Sequence, residues 1–186
     1  MNNRKIDEYF DRMPGRGVGF CFNGLLRNFC TEDKIWTSAW SSFSGLNFDW
    51  TEAIAYDIFG VVYTLDDLNK VYIFSLDSGD KSSLEVNLDE FFEAIKCDSV
   101  STIRSDVYEG AVSRLGRINN YENYALKVEE ALGGKFCVDN MYICERVKHA
   151  SILGGIARQI RNLPVGTRLS LEHQDDEHRS IRDRGN

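Results

Sequence analysis

The run Ile58-Phe59-Gly60-Val61-Val62-Tyr63-Thr64, the polar break Leu65-Asp66-Asp67-Leu68-Asn69-Lys70 and the second run Val71-Tyr72-Ile73-Phe74-Ser75-Leu76 decide the fold. Both runs are rich in β-branched and aromatic residues, and the break carries the Asp and Asn residues that favour turns. The pair predicts an antiparallel hairpin with strands at 58–64 and 71–76. Asp77-Ser78-Gly79-Asp80-Lys81 predicts a second turn and Ser83 to Val86 a third strand. Asn87 then starts a helix, because it can cap the amide three residues on while Glu90 reaches back to its own amide. Leu88, Phe91, Phe92 and Ile95 form the apolar stripe of that helix.

Toward the N-terminus, Ile6, Tyr9, Phe10 and Met13 recur at helical spacing until Pro14-Gly15. The glycines of Gly15-Arg16-Gly17-Val18-Gly19 lack the Gly-Lys-Ser/Thr ending of a phosphate loop, and no strong strand precedes them, so they read as a turn. Toward the C-terminus a helix is expected over about 101–115, with Gly116 as its stop. Ala131-Leu132-Gly133-Gly134 reads as a turn, and Phe136 to Arg146 as strand or extended chain. A last helix runs from about Val147 to Leu163, with Ala150, Leu153, Ala157 and Ile160 on one face and Pro164 ending it. The expected fold is a single α+β domain over residues 1–165, with a mainly antiparallel sheet flanked by helices. Residues 166–186 are expected to be a disordered or loosely attached polar tail, since the last 16 residues hold one Leu and one Ile.

Length and charge narrow the function. A chain of 186 residues with 42% apolar content fills one ordinary domain with a sizeable core. Acidic residues outnumber basic ones by 29 to 22, for a net charge of −7, the wrong sign for a protein that wraps nucleic-acid phosphates. A local patch at Arg158, Arg161 and Arg168 is the one feature that runs against this. No apolar run approaches the length of a membrane span, and Asp7, Glu8 and Asp11 stand where an export signal needs apolar residues. The five cysteines form no CxxC pair, so a cytoplasmic protein with reduced, mostly buried thiols is expected.

Catalytic patterns are sparse. His149, His173 and His178 sit in no metal-binding spacing, and Cys137 and Cys144 fit no zinc knuckle. No serine lies in GxSxG, and a calcium loop from Asp77 would need Glu where Leu88 stands. A hydrolase built on Asp66 or His149 is the weakest reading. No catalytic residue, metal or cofactor is expected. Trp36 and Trp40 share a helix face, either as core or as interface anchors.

Several passages carry a family resemblance. They are Phe22-Asn23-Gly24-Leu25-Leu26-Arg27, the hairpin Phe59-Gly60-Val61-Val62-Tyr63-Thr64…Val71-Tyr72-Ile73-Phe74 and the helix Leu88-Asp89-Glu90-Phe91-Phe92. Later come Ala131-Leu132-Gly133-Gly134, Asp139-Asn140-Met141, Val147-Lys148-His149 and Ile152-Leu153-Gly154-Gly155-Ile156. Together they resemble the immunity-protein domain of bacterial type VI secretion DNase effectors, the DUF1851 family, often joined to a GAD-like N-terminal region. The hairpin–helix passage is also similar to the broader SMI1/KNR4 (SUKH) group. The resemblance covers roughly residues 20–163; the polar tail after Ser170 is not part of it.

The resemblance implies a SUKH-like fold and a cytoplasmic, non-catalytic protein that binds and neutralises a cognate toxin, a basic nuclease. It implies no direct contact with nucleic acid or membrane. The other role open to a SUKH-like domain is a general interaction or adaptor module with no toxin partner. Charge complementarity nominates the turn carboxylates Asp66, Asp67, Asp77 and Asp80, expected exposed at neighbouring ends of the sheet, as toxin-binding residues. Trp36 and Trp40 join them as candidate anchors.

Overall fold

The expected hairpin is present, with its strands shifted. In the computed structural model, which describes residues 20–21, 25–29, 33–164 and 167, strands Val62–Leu65 and Lys70–Phe74 pair antiparallel, Val62 opposite Phe74 and Leu65 opposite Val71. The Asp66 carboxylate closes the turn, accepting the Leu68 and Lys70 amides at 2.9 and 2.8 Å. The expected N-terminal helix at 6–13, the glycine turn at 15–19 and the tail after Ser170 lie outside the described residues.

Around this hairpin, among the described residues, the sheet is an antiparallel meander of six strands in sequence order. They are β1 (Phe20–Cys21), β2 (Leu26–Asn28), β3 (Ala53–Asp57), β4 (Val62–Leu65), β5 (Lys70–Phe74) and β6 (Lys81–Asn87). Between β2 and β3 runs helix α1 (Lys34–Ser44). After β6 come α2 (Leu88–Cys97), α3 (Ser99–Ile103) and α4 (Ser105–Leu115). A second, two-stranded sheet pairs β7 (Glu122–Leu126) with β8 (Met141–Glu145), and α5 (Arg146–Ile160) follows directly.

Alternation along the strands gives the large sheet two covered faces. Tyr56, Val62 and Phe74 form one cross-strand row and meet Trp36 and Trp40 of α1 and Ala150 and Leu153 of α5. Ala55, Tyr63 and Ile73 form the neighbouring row and meet Phe91, Phe92 and Ile95 of α2, with Ala111 of α4 and Tyr124 of β7. The chain is therefore a single α+β domain with helices on both sides of an antiparallel sheet. Among the described residues no helix is long and apolar enough to cross a membrane.

Helix α2 is where local sequence rules hold most fully. The Asn87 side chain accepts from the Glu90 amide at 3.0 Å and the Glu90 carboxylate from the Asn87 amide at 2.8 Å. Its four expected stripe residues are all buried. The expected helix at 101–115 is instead two, α3 and α4, broken at Arg104. That residue takes the left-handed conformation at φ 54° and sends its amide back to the carbonyls of Ser99 and Val100. The break aims the guanidinium at Phe136, 3.9 Å from the ring centroid. The thiols were expected to be mostly buried; of those described, Cys144 is buried, Cys137 half-buried and Cys97 exposed.

The two tryptophans belong to the core, which corrects their nomination as interface anchors. Trp36 is 4% exposed and Trp40 0%, their indole nitrogens donating to Asp33 and to the Leu76 carbonyl. Each buries on the order of 200 Å², about 5 kcal/mol of hydrophobic stabilisation, so exposing either would consume much of a typical domain's stability.

Close approach of α1 and α5 depends on Gly154. A β-carbon there would sit 2.6 Å from the Trp40 carbonyl oxygen and 3.0 Å from the Ser44 nitrogen, whereas one on Gly155 would meet nothing within 4 Å. Gly154→Ala is expected to cost about 1–3 kcal/mol by wedging the helices apart, while Gly155→Ala stabilises by about 0.5–1 kcal/mol. Urea denaturation of both variants checks this pair. Equal effects would show that the helix contact is not set at Gly154.

Candidate functional site

The β3–β4 connection begins as a turn that local chemistry makes unusually tight. Asp57 Oδ1 accepts the amides of Phe59 and Val61, each at 2.9 Å, and the Gly60 amide returns to the Asp57 carbonyl at 3.1 Å. Gly60 holds φ 92°, a left-handed conformation that favours glycine. Ile58 and Phe59, at the turn's centre, are both buried. The rest of the fold fastens to this turn. The Ile58 amide donates to Leu25 O at 3.1 Å, and the Tyr124 amide donates to Ile58 O at 3.0 Å.

Gly60 lies against a polar relay. A β-carbon at Gly60 would be 3.2 Å from His149 Cε1 and 3.4 Å from Asn123 Nδ2. Arg27, 2% exposed, directs Nη1 to Asn123 Oδ1 at 3.4 Å. Arginine only donates, so it fixes the amide orientation of Asn123. The Asn123 Nδ2 group then faces His149 Nδ1 at 3.4 Å as donor. The Nδ1 lone pair is thereby occupied and the ring proton is placed on Nε2. His149 Nε2 looks toward Glu129 Oε1 at 3.7 Å, too far for a direct hydrogen bond. Both atoms are fully buried and lack any hydrogen-bond partner.

These groups form one end of a cavity of about 460 Å³ between the sheet, α2, the α3–α4 break and the 129–136 loop. Phe59, Tyr63, Phe91, Leu126 and Phe136 give it apolar walls. Asp57, Asp77, Glu129 and Glu130 give it four carboxylates. Buried Asp57, Glu129 and His149 make its floor, and exposed Ser101, Arg104 and Glu130 mark its mouth. Arg104 Nη1 binds Glu130 Oε2 at 3.2 Å, while Asp57, Asp77 and Glu129 form no ion pair with lysine or arginine among the described residues.

Burial governs the protonation of this group. Asp57, 3% exposed, is pushed up to about 7 by desolvation, against which its accepted amides and the Arg104 charge pull downward. Asp77 is also raised by burial, despite accepting the Ala131 amide at 3.3 Å. Tyr63 is held well above its ordinary value, by burial first and by the neighbouring Asp57 second.

A second buried network lies on the other face. Arg146 Nη1 meets Asp33 Oδ1 at 2.6 Å and also the Tyr56 hydroxyl, which donates to Asp33 Oδ1 at 3.0 Å. Trp36 Nε1 donates to the same oxygen at 2.8 Å. It ties α1, β3 and α5 together and lines no sizeable cavity.

The nominated turn aspartates do not form one acidic edge. Their turns stand at opposite ends of β5, roughly 15 Å apart for a five-residue strand. Asp67 and Asp80 are exposed, Asp66 is half-buried in its own turn, and half-buried Asp77 points into the cavity. Asp66 is lowered, chiefly by the Lys70 amide, as befits a turn former. Sequence reading missed Glu129, gave Asp57 only as a fallback acidic contact beside Glu52, and weighed His149 as a general base or as a packed or surface ring. The Asp-x-x-Gly spacing of Asp57 and Gly60 was the available signal, hidden inside an apolar run. Among the described residues no three of His, Cys, Asp and Glu gather at metal-binding geometry.

The arrangement offers a donor at His149 Nε2 and acceptors around it. A general base needs a lone pair facing its substrate, and the lone pair of His149 is turned to Asn123. What the cavity can do is hold a group that brings donors and positive charge.

No protein-family model and no curated protein matches the chain. Among crystal structures the fold is similar to that of Atu4351 from Agrobacterium tumefaciens, with a TM-score of 0.46 and 16% identity, over 83% of this chain and 81% of that one.

The raised Asp57 has a definite pH signature. Below about pH 4 the carboxyl is protonated in folded and unfolded chains alike; between about 4 and 7 only the folded chain keeps the proton, so stability falls as pH rises through that window. Asp57→Asn keeps an oxygen for the two amides and cannot ionise. Its stability relative to the wild type is expected to rise by about 2–4 kcal/mol from pH 4 to 7.5, read from urea midpoints. Parallel pH profiles would show that Asp57 titrates normally.

Proposed function

We propose that this chain is a cytoplasmic immunity protein that binds a cognate toxin, a basic nuclease of the type VI secretion class, and neutralises it stoichiometrically. The observation that carries the reading is the gathering of Asp57, Asp77, Glu129 and Glu130 on one cavity against Arg104, in a chain already at −7. A nuclease must present a basic groove to phosphates, so an acidic protein meets it with complementary charge. The family resemblance of the sequence points to the same role and partner.

Neutralisation on this account is occlusion. Long-range charge accelerates encounter, and desolvated contacts at the interface hold the complex. No bond is made or broken, and the chain needs no cofactor.

The test is co-expression with the product of the adjacent reading frame, scoring growth rescue and recovery of a one-to-one complex. The reading expects rescue, and an association rate falling by about tenfold or more between low and high salt while dissociation changes little. Absence of both rescue and complex would overturn it and favour an adaptor without a toxin.

A further inference from the structure

We propose that the cavity is a receptor for one organic cation, a guanidinium or ammonium group on an apolar stem. The inference deepens the reading above and rests on it for the identity of the natural occupant, an arginine or lysine side chain of the toxin.

Three observations converge. The first is charge: of four carboxylates on the cavity, Glu130 alone is paired with a lysine or arginine among the described residues, the Arg104 guanidinium at 3.2 Å. The second is an orphaned acceptor. Glu129 is 8% exposed, and its Oε1 is fully buried on the cavity floor with no hydrogen-bond partner. A buried carboxylate oxygen without a protein donor is costly, and an entering N–H cation supplies that donor together with the compensating charge. His149 does not supply that donor, because its Nε2 stands 3.7 Å from Glu129 Oε1, beyond hydrogen-bond reach. The third is shape. Phe59, Tyr63, Leu126 and Phe136 line a channel of about 460 Å³ suited to an aliphatic stem. At the mouth the chain's own Arg104 already stacks on Phe136, 3.9 Å from the ring centroid, as a guanidinium does on an aromatic face.

Proton linkage supports this geometry. Asp57 stands near 7 through burial, so a cation settling beside it displaces a proton around neutral pH, and burial raises Asp77 in the same direction.

The probe is agmatine, a guanidinium on a four-carbon amine, titrated calorimetrically into the full chain near neutral pH. Saturable binding with Kd of about 1 mM is expected, with a buffer-dependent heat that reports proton release. N-butylurea, which is neutral and of similar shape, is expected not to bind. Glu129→Gln is expected to weaken agmatine at least tenfold while leaving the far-ultraviolet circular dichroism unchanged. Should that variant fail to fold, Asp77→Asn on the half-buried wall gives the same comparison. No saturation up to about 50 mM agmatine, or equal binding of the urea, would overturn the proposal and leave water as the bridge between Glu129 and His149.

The source of the cation is read separately. Competition between agmatine and the toxin assigns the cavity to a toxin side chain, and binding of both together assigns it to a free amine. A toxin complex formed by a chain that ignores agmatine sinks the cavity proposal alone. Agmatine binding by a chain that forms no toxin complex sinks the immunity reading alone.

Discussion

One carboxylate closes the turn on which this molecule is assembled. Asp57 Oδ1 accepts two amides of a turn whose centre, Ile58 and Phe59, is buried. The turn's centre is buried, and its polar groups are met by protein: Asp57 for Phe59 and Val61, Leu25 O for the Ile58 amide, and the Tyr124 amide for Ile58 O. Each of those bonds fastens a different part of the chain. The segment leading into β2, the β3–β4 hairpin and β7 therefore converge on four residues.

The same requirement creates the cavity. A carboxylate deep enough to close a buried turn is desolvated, and desolvation drives it toward neutrality. Gly60 leaves room for His149 and Asn123 to stand against the turn, and Arg27 fixes that pair from behind. The result is a floor that is polar, rigid and incompletely hydrogen-bonded. Buried groups left in that condition are a cost to folding, which a binding partner can reverse.

Legibility in the sequence followed locality. The capping box of Asn87 and Glu90, the stripe of α2 and the α5 helix before Pro164 obey rules set within a few residues, and all were readable. The turn at Asp57 was not, because Ile58 and Phe59 are apolar in a place where turns are ordinarily polar, and the run reads as one strand. Strand β3 was lost with it. Arg104 broke an expected helix through a left-handed residue that is not glycine, a choice rewarded by Phe136 and Glu130 far along the chain. The site failed for the same reason. Asp57, Asn123, Glu129 and His149 come from three separate stretches, and only the fold brings them together. Of the nominated turn aspartates Asp77 reaches the cavity, whereas its buried carboxylates Asp57 and Glu129 were not among them.

The central claim is that a desolvated Asp57 carboxyl holds both the turn and the cavity floor. Its most direct test is a carbon-13 titration of the Asp57 side-chain carboxyl in the folded wild-type chain. The account predicts a midpoint near 7, with a titration step that also moves the Tyr63 ring signals. A midpoint at or below the ordinary 3.8 would contradict it, because the carboxylate would then be solvated or ion-paired and the cavity would not be the low-dielectric acceptor described.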